Sequence, residues 1–143
     1  KTLDESVSAE VPAGQSVLAW STELEADPEL VAWVRNPEGD FPDNRLYFGE
    51  IRELPLAPAE LDVQIEPKGS GGATVNISTD SLAYLVRIPT PAPGVRFSDN
   101  YVDVAAGQPV SIEVTGLPED FDATELEVRS YAGVVSEEGT NAE

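Results

Sequence analysis

Leu61-Asp62-Val63-Gln64-Ile65, then Lys68-Gly69-Ser70-Gly71-Gly72, then Ala73-Thr74-Val75-Asn76-Ile77-Ser78: this stretch decides how the chain folds. Apolar residues recur at every second position on both sides of a glycine-rich break. That is the period of side chains on a pleated strand. The first run places Leu61, Val63 and Ile65 on one face, and the return run places Val75 and Ile77 inward. The segment is predicted to be an antiparallel hairpin with one apolar face.

The same texture continues downstream. Ser81 to Ile88 is a longer, more apolar run, with Leu82, Tyr84, Val86 and Ile88 predicted to share a face. Pro89 to Gly94 reads as a loop, and Val95 to Val104 as extended chain around Phe97-Ser98-Asp99-Asn100-Tyr101. Val110, Ile112 and Val114 alternate cleanly, and Leu126 to Tyr131 is the last predicted strand. Upstream, strands are predicted at Val7 to Val11, Ser16 to Trp20, Leu30 to Arg35 and Leu46 to Ile51. Leu54-Pro55-Leu56-Ala57-Pro58 reads as a stiff linker, because proline removes ladder donors and fixes φ. Twelve prolines and eleven glycines oppose long helices. The expected class is all-β: an antiparallel immunoglobulin-like β-sandwich, preceded by strands of a second similar sandwich.

Composition narrows the function. There are 27 Asp plus Glu against 8 Lys plus Arg, for a formal charge of −19. Nucleic acid is excluded as a partner on this balance, since binding it needs a basic stripe that displaces counterions. An anionic membrane surface would repel the chain as well. Neutral ligands such as sugars carry no such penalty. The sequence has no cysteine and no histidine. Disulfides, thiolate metal sites and a Ser-His-Asp triad are therefore ruled out, along with the commonest metal ligand and general base. No cofactor is expected. The chain begins Lys1-Thr2-Leu3 and contains no Met, so a piece of a longer protein is expected. The compartment stays open between cytoplasm and secretion in a bacterium.

An internal repeat organises the chain. Val11-Pro12-Ala13-Gly14-Gln15-Ser16-Val17 resembles Val104-Ala105-Ala106-Gly107-Gln108-Pro109-Val110, 104 against 11, an offset of 93. Glu29-Leu30 precedes Val34-Arg35 much as Glu125-Leu126 precedes Val128-Arg129; the glutamates stand at 125 against 29, an offset of 96. One immunoglobulin-type sandwich takes roughly 100 residues. In each copy a strand ends at valine, Ala-Gly-Gln turns, and a new strand begins, with glycine at the position that needs positive φ. On this reading residues 1–55 are the C-terminal half of one sandwich plus a linker. Residues 56–135 are a complete sandwich, and residues 136–143 are a polar tail. Residues 1–55 would then present unpaired edges and an open apolar face. They are expected to pack on the second part or to form a homodimer with another copy.

Arg45-Leu46-Tyr47-Phe48, Leu82-Ala83-Tyr84-Leu85-Val86 and above all Phe97-Ser98-Asp99-Asn100-Tyr101-Val102-Asp103-Val104 with Gly107 carry a resemblance. The sequence resembles the C-terminal β-sandwich domains of β-mannosidases of glycoside hydrolase family 2. Related exo-acting glucosaminidases have a similar Ser-Asp-Asn-Tyr stretch. The family's Pro-Gly-Glu turn stands here as Ala106-Gly107-Gln108. The resemblance implies a non-catalytic accessory sandwich that packs against a catalytic barrel and neighbouring domains of a parent enzyme. The two catalytic glutamates of such enzymes lie on that barrel, so no catalytic residue carries over.

Read by themselves, the motif residues are structural. Ser98, Asp99 and Asn100 are short side chains suited to bonding nearby backbone, with Phe97 and Tyr101 anchoring a bend in the core. Asp99 with Asp103, or Asp120 with Asp122, could form the paired carboxylates of a glycosidase, but no aromatic-lined cleft accompanies them. Calcium is a minor candidate at Asp40 and Asp43 and at Asp120 and Asp122, which offer hard oxygen ligands in loops without EF-hand spacing. Trp20 and Trp33 are the candidate carbohydrate platforms, for a mannose-containing oligosaccharide. Against that, Trp33 lies in a run apolar on both faces and is predicted to be buried between layers. A carbohydrate-binding module and a cell-surface adhesion module are the alternative readings. The first needs a surface aromatic strip, the second tandem sandwiches without a barrel.

Overall fold

The computed structural model describes residues 4–25, 27–36, 43–51, 54, 56 and 58–131. The chain divides into two units, Lys1–Leu54 and Pro55–Glu143. The polar tail 136–143 lies outside the described residues, as do Pro55 and Ala57 of the expected linker.

The second unit is an antiparallel, immunoglobulin-like β-sandwich. Its larger sheet holds β3 (Asp62–Pro67), β4 (Gly72–Ser78), β6 (Arg96–Phe97) and β8 (Val110–Thr115) in the order β3-β4-β8-β6. The predicted hairpin forms in the expected place: Val63 pairs with Ile77 and Ile65 with Val75. On the other side of β4, Val75 pairs with Ile112 and Ala73 with Val114. Because side chains alternate, one face of β4 and β8 collects Ala73, Val75, Ile77, Ile112 and Val114, all fully buried. Leu61, Val63 and Ile65 pack against that cluster and are half-buried, as expected on an edge strand.

The facing sheet pairs β5 (Ala83–Val86) with β7 (Val102–Val104), and a bridge joins Arg87 to Arg129. It contributes Ala83, Val86, Ile88 and Val104 to the core. Leu117, Ala123 and Leu126 close one end, the last two around a short 3₁₀ turn at Ala123–Glu125. At roughly 1.5–3 kcal/mol for each large apolar side chain taken from water, this cluster is the dominant favourable term for the unit.

The structure corrects several expectations here. The run Ser81 to Ile88 does not keep one face inward. Ala83 is buried on one parity, Val86 and Ile88 on the other. The register shifts between Ala83 and Val86, and Leu85 sits at φ +48°. The extra residue of a bulge swaps which parity faces the core. Val95 to Val104 is likewise not continuous: Tyr101, at φ +60°, breaks it into β6 and β7. The predicted last strand, Leu126 to Tyr131, keeps an inward alternation but, among the described residues, makes a single bridge, Arg87–Arg129, with N to O distances of 2.8 and 2.9 Å.

The first unit forms much less. β1 (Val31–Val34) and β2 (Asn44–Tyr47) make a two-stranded antiparallel ribbon, with Trp33 opposite Arg45. β2 begins two residues before the predicted Leu46 and ends at Tyr47 rather than Ile51. The predicted strands Val7 to Val11 and Ser16 to Trp20 do not form, and every described residue from 4 to 25 is exposed. Strand pairing requires a neighbouring ladder, and these segments have none among the described residues. Trp33 is half-buried rather than enclosed between layers, and Val34 beside it is 59% exposed.

Candidate functional site

The Ser-Asp-Asn stretch sits where the two sheets of the second unit meet. The Ser98 hydroxyl accepts the Glu113 amide at 2.9 Å, while the Ser98 amide donates to the Glu113 carbonyl at 2.8 Å. This pair ties the bend to β8. Asn100 reaches the other sheet: its Oδ1 accepts the Ile88 amide at 2.9 Å and its Nδ2 donates to the Ile88 carbonyl at 3.0 Å. One amide side chain thereby completes the backbone pairing of a fully buried residue just past the end of β5. Asp99 Oδ1 accepts the amide of Asn100 at 2.7 Å. Phe97 packs against the core, half-buried. Tyr101 does not anchor the bend inside, contrary to expectation: its positive φ turns the side chain outward, and it is 56% exposed.

Asp103 is the polar residue that sequence patterning passed over as structure. It is buried, and its Oδ1 accepts the Leu85 amide at 2.8 Å, a donor left unpaired by the bulge. The clue in the sequence is positional: Asp103 stands between Val102 and Val104 opposite a run whose apolar parity has to change.

Gly107 lies at φ +66° in a turn closed by the Gln108 amide on the Ala105 carbonyl at 3.0 Å, and its own amide donates to the Thr79 carbonyl at 2.9 Å. Together with Glu60, Asp62, Ser78, Thr79 and Asp80 it borders an open cleft of about 430 Å³. The polar atoms of Thr79 are already committed: its carbonyl to Gly107, and its hydroxyl to the Ser81 amide at 3.3 Å.

The candidate metal ligands are engaged in local structure. Asp43 pairs with Arg35 Nε at 3.3 Å and accepts the Asn36 amide at 2.8 Å, closing the ribbon's connection. Asp122 caps the 3₁₀ turn: its Oδ1 accepts the Thr124 amide at 2.9 Å and the Thr124 hydroxyl at 2.7 Å. These bonds, the hydroxyl first, hold its carboxyl below the ordinary aspartate range. Asp120 is exposed in the adjoining turn, and Asp40 lies outside the described residues. Among the described residues no group of three or more acidic, histidine or cysteine side chains converges as a metal cage.

The two tryptophans both lie in the first unit. Trp20 is 45% exposed, and its Nε1 donates to Glu5 at 2.7 Å. Trp33 lies on the ribbon. On the larger sheet of the sandwich, Glu113 accepts both Lys68 Nζ, at 3.0 and 3.1 Å, and the Thr74 hydroxyl at 3.1 Å. The Lys68 bond, foremost, lowers its pKa.

A family model for Ig_mannosidase, an Ig-fold domain, matches residues 56–133. Among solved structures, the chain is similar to the β-D-mannosidase from Dictyoglomus thermophilum, with a TM-score of 0.54 and 20% identity. The likeness covers 63% of this chain and 11% of that one, so the matched part spans about a ninth of that structure's length. No curated protein matches.

Proposed function

The chain belongs to the mannosidase Ig-fold family, and from that premise we propose that it is the non-catalytic accessory sandwich of a β-mannosidase-like glycoside hydrolase. It packs against, or supports, a catalytic barrel contributed by other parts of the parent enzyme. The observation that carries this reading is the family match over the whole sandwich, residues 56–133. The site geometry is in keeping with it. The motif side chains spend their hydrogen bonds on backbone groups of the fold, and the carboxylates Asp43, Asp103 and Asp122 are already bonded to neighbours.

Residues 1–55 belong, on the same reading, to the C-terminal half of a sister sandwich. Val7, Val11, Leu18, Trp20, Leu24, Leu46 and Phe48 are all exposed, which suits strands that lack their covering layer. Neighbouring domains of the parent enzyme are the partners, and a homodimer through these strands is the alternative cover.

Two assays test the proposal. The chain alone, incubated with p-nitrophenyl β-mannoside, should release no nitrophenol above the uncatalysed background; turnover would overturn it. The parent coding sequence should encode a barrel with two glutamates at strand ends. Further tandem sandwiches without a barrel would favour an adhesion module instead.

A further inference from the structure

The loop that carries the chain from β5 in the smaller sheet to β6 in the larger one reads Pro89-Thr90-Pro91-Ala92-Pro93-Gly94. Every residue from Ile88 to Pro93 is restricted by being a proline or by preceding one. Proline fixes its own φ, and the residue before it is pushed to extended backbone. The limb up to Pro91 is therefore stiff without any hydrogen bond. Ala92-Pro93-Gly94-Val95 then turns, with Gly94 at φ +91° and the Val95 amide on the Ala92 carbonyl at 3.5 Å.

Both ends of the loop are fixed to the sandwich. Asn100 grips the amide and the carbonyl of buried Ile88 at 2.9 and 3.0 Å. At the other end, Gly116 packs on the Gly94 carbonyl so closely that a Cβ there would stand 2.6 Å from the oxygen. Between these anchors Thr90, Pro91 and Pro93 are exposed, and Pro89 and Ala92 are half-buried. Among the described residues, nothing donates to the carbonyls of Pro89, Thr90 and Pro91.

The loop's charge sets it apart from the rest of the chain. Ser81 to Ser98 is the longest stretch without an Asp or Glu, in a chain of formal charge −19. Arg87 and Arg96 bracket the loop within it. Arg96 is exposed and Arg87 half-buried, and among the described residues neither pairs with a carboxylate.

We propose that this loop docks into a partner protein's groove that is lined with aromatic rings and edged with carboxylates. Proline rings lie flat on aromatic faces, and the free carbonyls accept from indole or phenol donors beside them. A loop already held in its extended form gives up little entropy on docking. The two arginines select a groove with an acidic rim, which elsewhere on this acidic chain would be repelled. This goes beyond the accessory role and is independent of it: failure of the docking would leave the family membership and the packing role standing.

The test is a titration of the full 143-residue chain with an SH3 domain, whose proline groove is aromatic and acid-edged, followed by amide chemical shifts. Saturable shifts centred on Thr90, Ala92, Gly94 and Arg96 are expected. Pro91→Ala alters an exposed loop residue, so the fold is retained, and it should weaken binding about fivefold. Arg87→Glu combined with Arg96→Glu should weaken it about tenfold and remove its salt dependence. Pro12→Ala, at an exposed proline of the first unit, should leave affinity unchanged. No saturable shift would overturn the proposal. So would shifts centred on residues 4–25, or an affinity that neither the Pro91 variant nor the double arginine variant changes.

Discussion

The two Ala-Gly-Gln turns are nearly the same object in two settings. At Pro12 to Gln15 the Gln15 amide closes on the Pro12 carbonyl at 3.0 Å, with Gly14 at φ +73°. At Ala105 to Gln108 the equivalent bond is also 3.0 Å, with Gly107 at φ +66°. Around the second turn stand β7 and β8, with Val104 fully buried and Val110 packed on the core. Around the first, Val11 is 58% and Val17 44% exposed, and no strand forms. The turn follows from local residue chemistry, because glycine supplies positive φ without cost. The strands follow from tertiary burial, since a ribbon without a packed face gains too little to offset its ordering entropy.

The sharpest break between the regions should come from core truncation. Ile112→Ala or Ile77→Ala, each fully buried at the heart of β8 or β4, should cost about 2–5 kcal/mol in denaturant unfolding. Leu18→Ala, at a residue 85% exposed, should stay within about 0.5 kcal/mol. Equal losses at the two positions would mean that the first unit holds a core of its own.

Next in size is Asn100→Ala, which leaves both backbone groups of buried Ile88 without their partners. About 2 kcal/mol of destabilisation is expected. Tyr101→Gly, one residue on, should be neutral or stabilising in the same unfolding experiment, because it relieves a disfavoured backbone angle.

These two neighbours mark how far the sequence could be read. The hairpin of β3 and β4 and the strand β8 were legible because their apolar residues keep strict parity and one face is buried. The bulge at Leu85 was not, since a change of parity leaves a run that looks equally apolar on both faces. Tyr101 was misread because aromatic residues beside a bend usually go inward. Its direction is set by one positive φ, which residue type alone does not announce. In the first unit, alternation at Val7 to Val11 and Ser16 to Trp20 reported a capacity for strand formation without the partner that realises it. The structural use of Asp43 and Asp122 was hidden for a related reason. Acidic residues in turns look alike in sequence whether they cap backbone groups or hold a cation.

Gly107→Ala and Gly14→Ala form a smaller, paired test. An added Cβ meets nothing within 4 Å at either site, so the effect is backbone strain alone. Gly107→Ala should lower sandwich stability by about 1 kcal/mol. Gly14→Ala should leave the main unfolding transition where it is.

The mildest contrast is with pH. Glu113 and Asp122 both have depressed pKa values in the fold. A depressed carboxylate contributes stability that is complete above its unfolded-state pKa and is lost as pH falls through its folded value. The sandwich should therefore weaken on the acid side of the ordinary carboxylate range. Glu113→Gln together with Asp122→Asn should flatten that acid limb while leaving the first unit unaffected.

Native-state amide hydrogen exchange on the full chain compares the two regions most directly. Amides of β4 and β8 should exchange only through global unfolding of the sandwich. Those of residues 7–20 should exchange close to the unprotected rate, and those of β1 and β2 only modestly slower. Protection at residues 7–20 equal to that of β4 would contradict the view that burial, rather than local sequence, makes these strands. It would show that the first unit already has its covering layer.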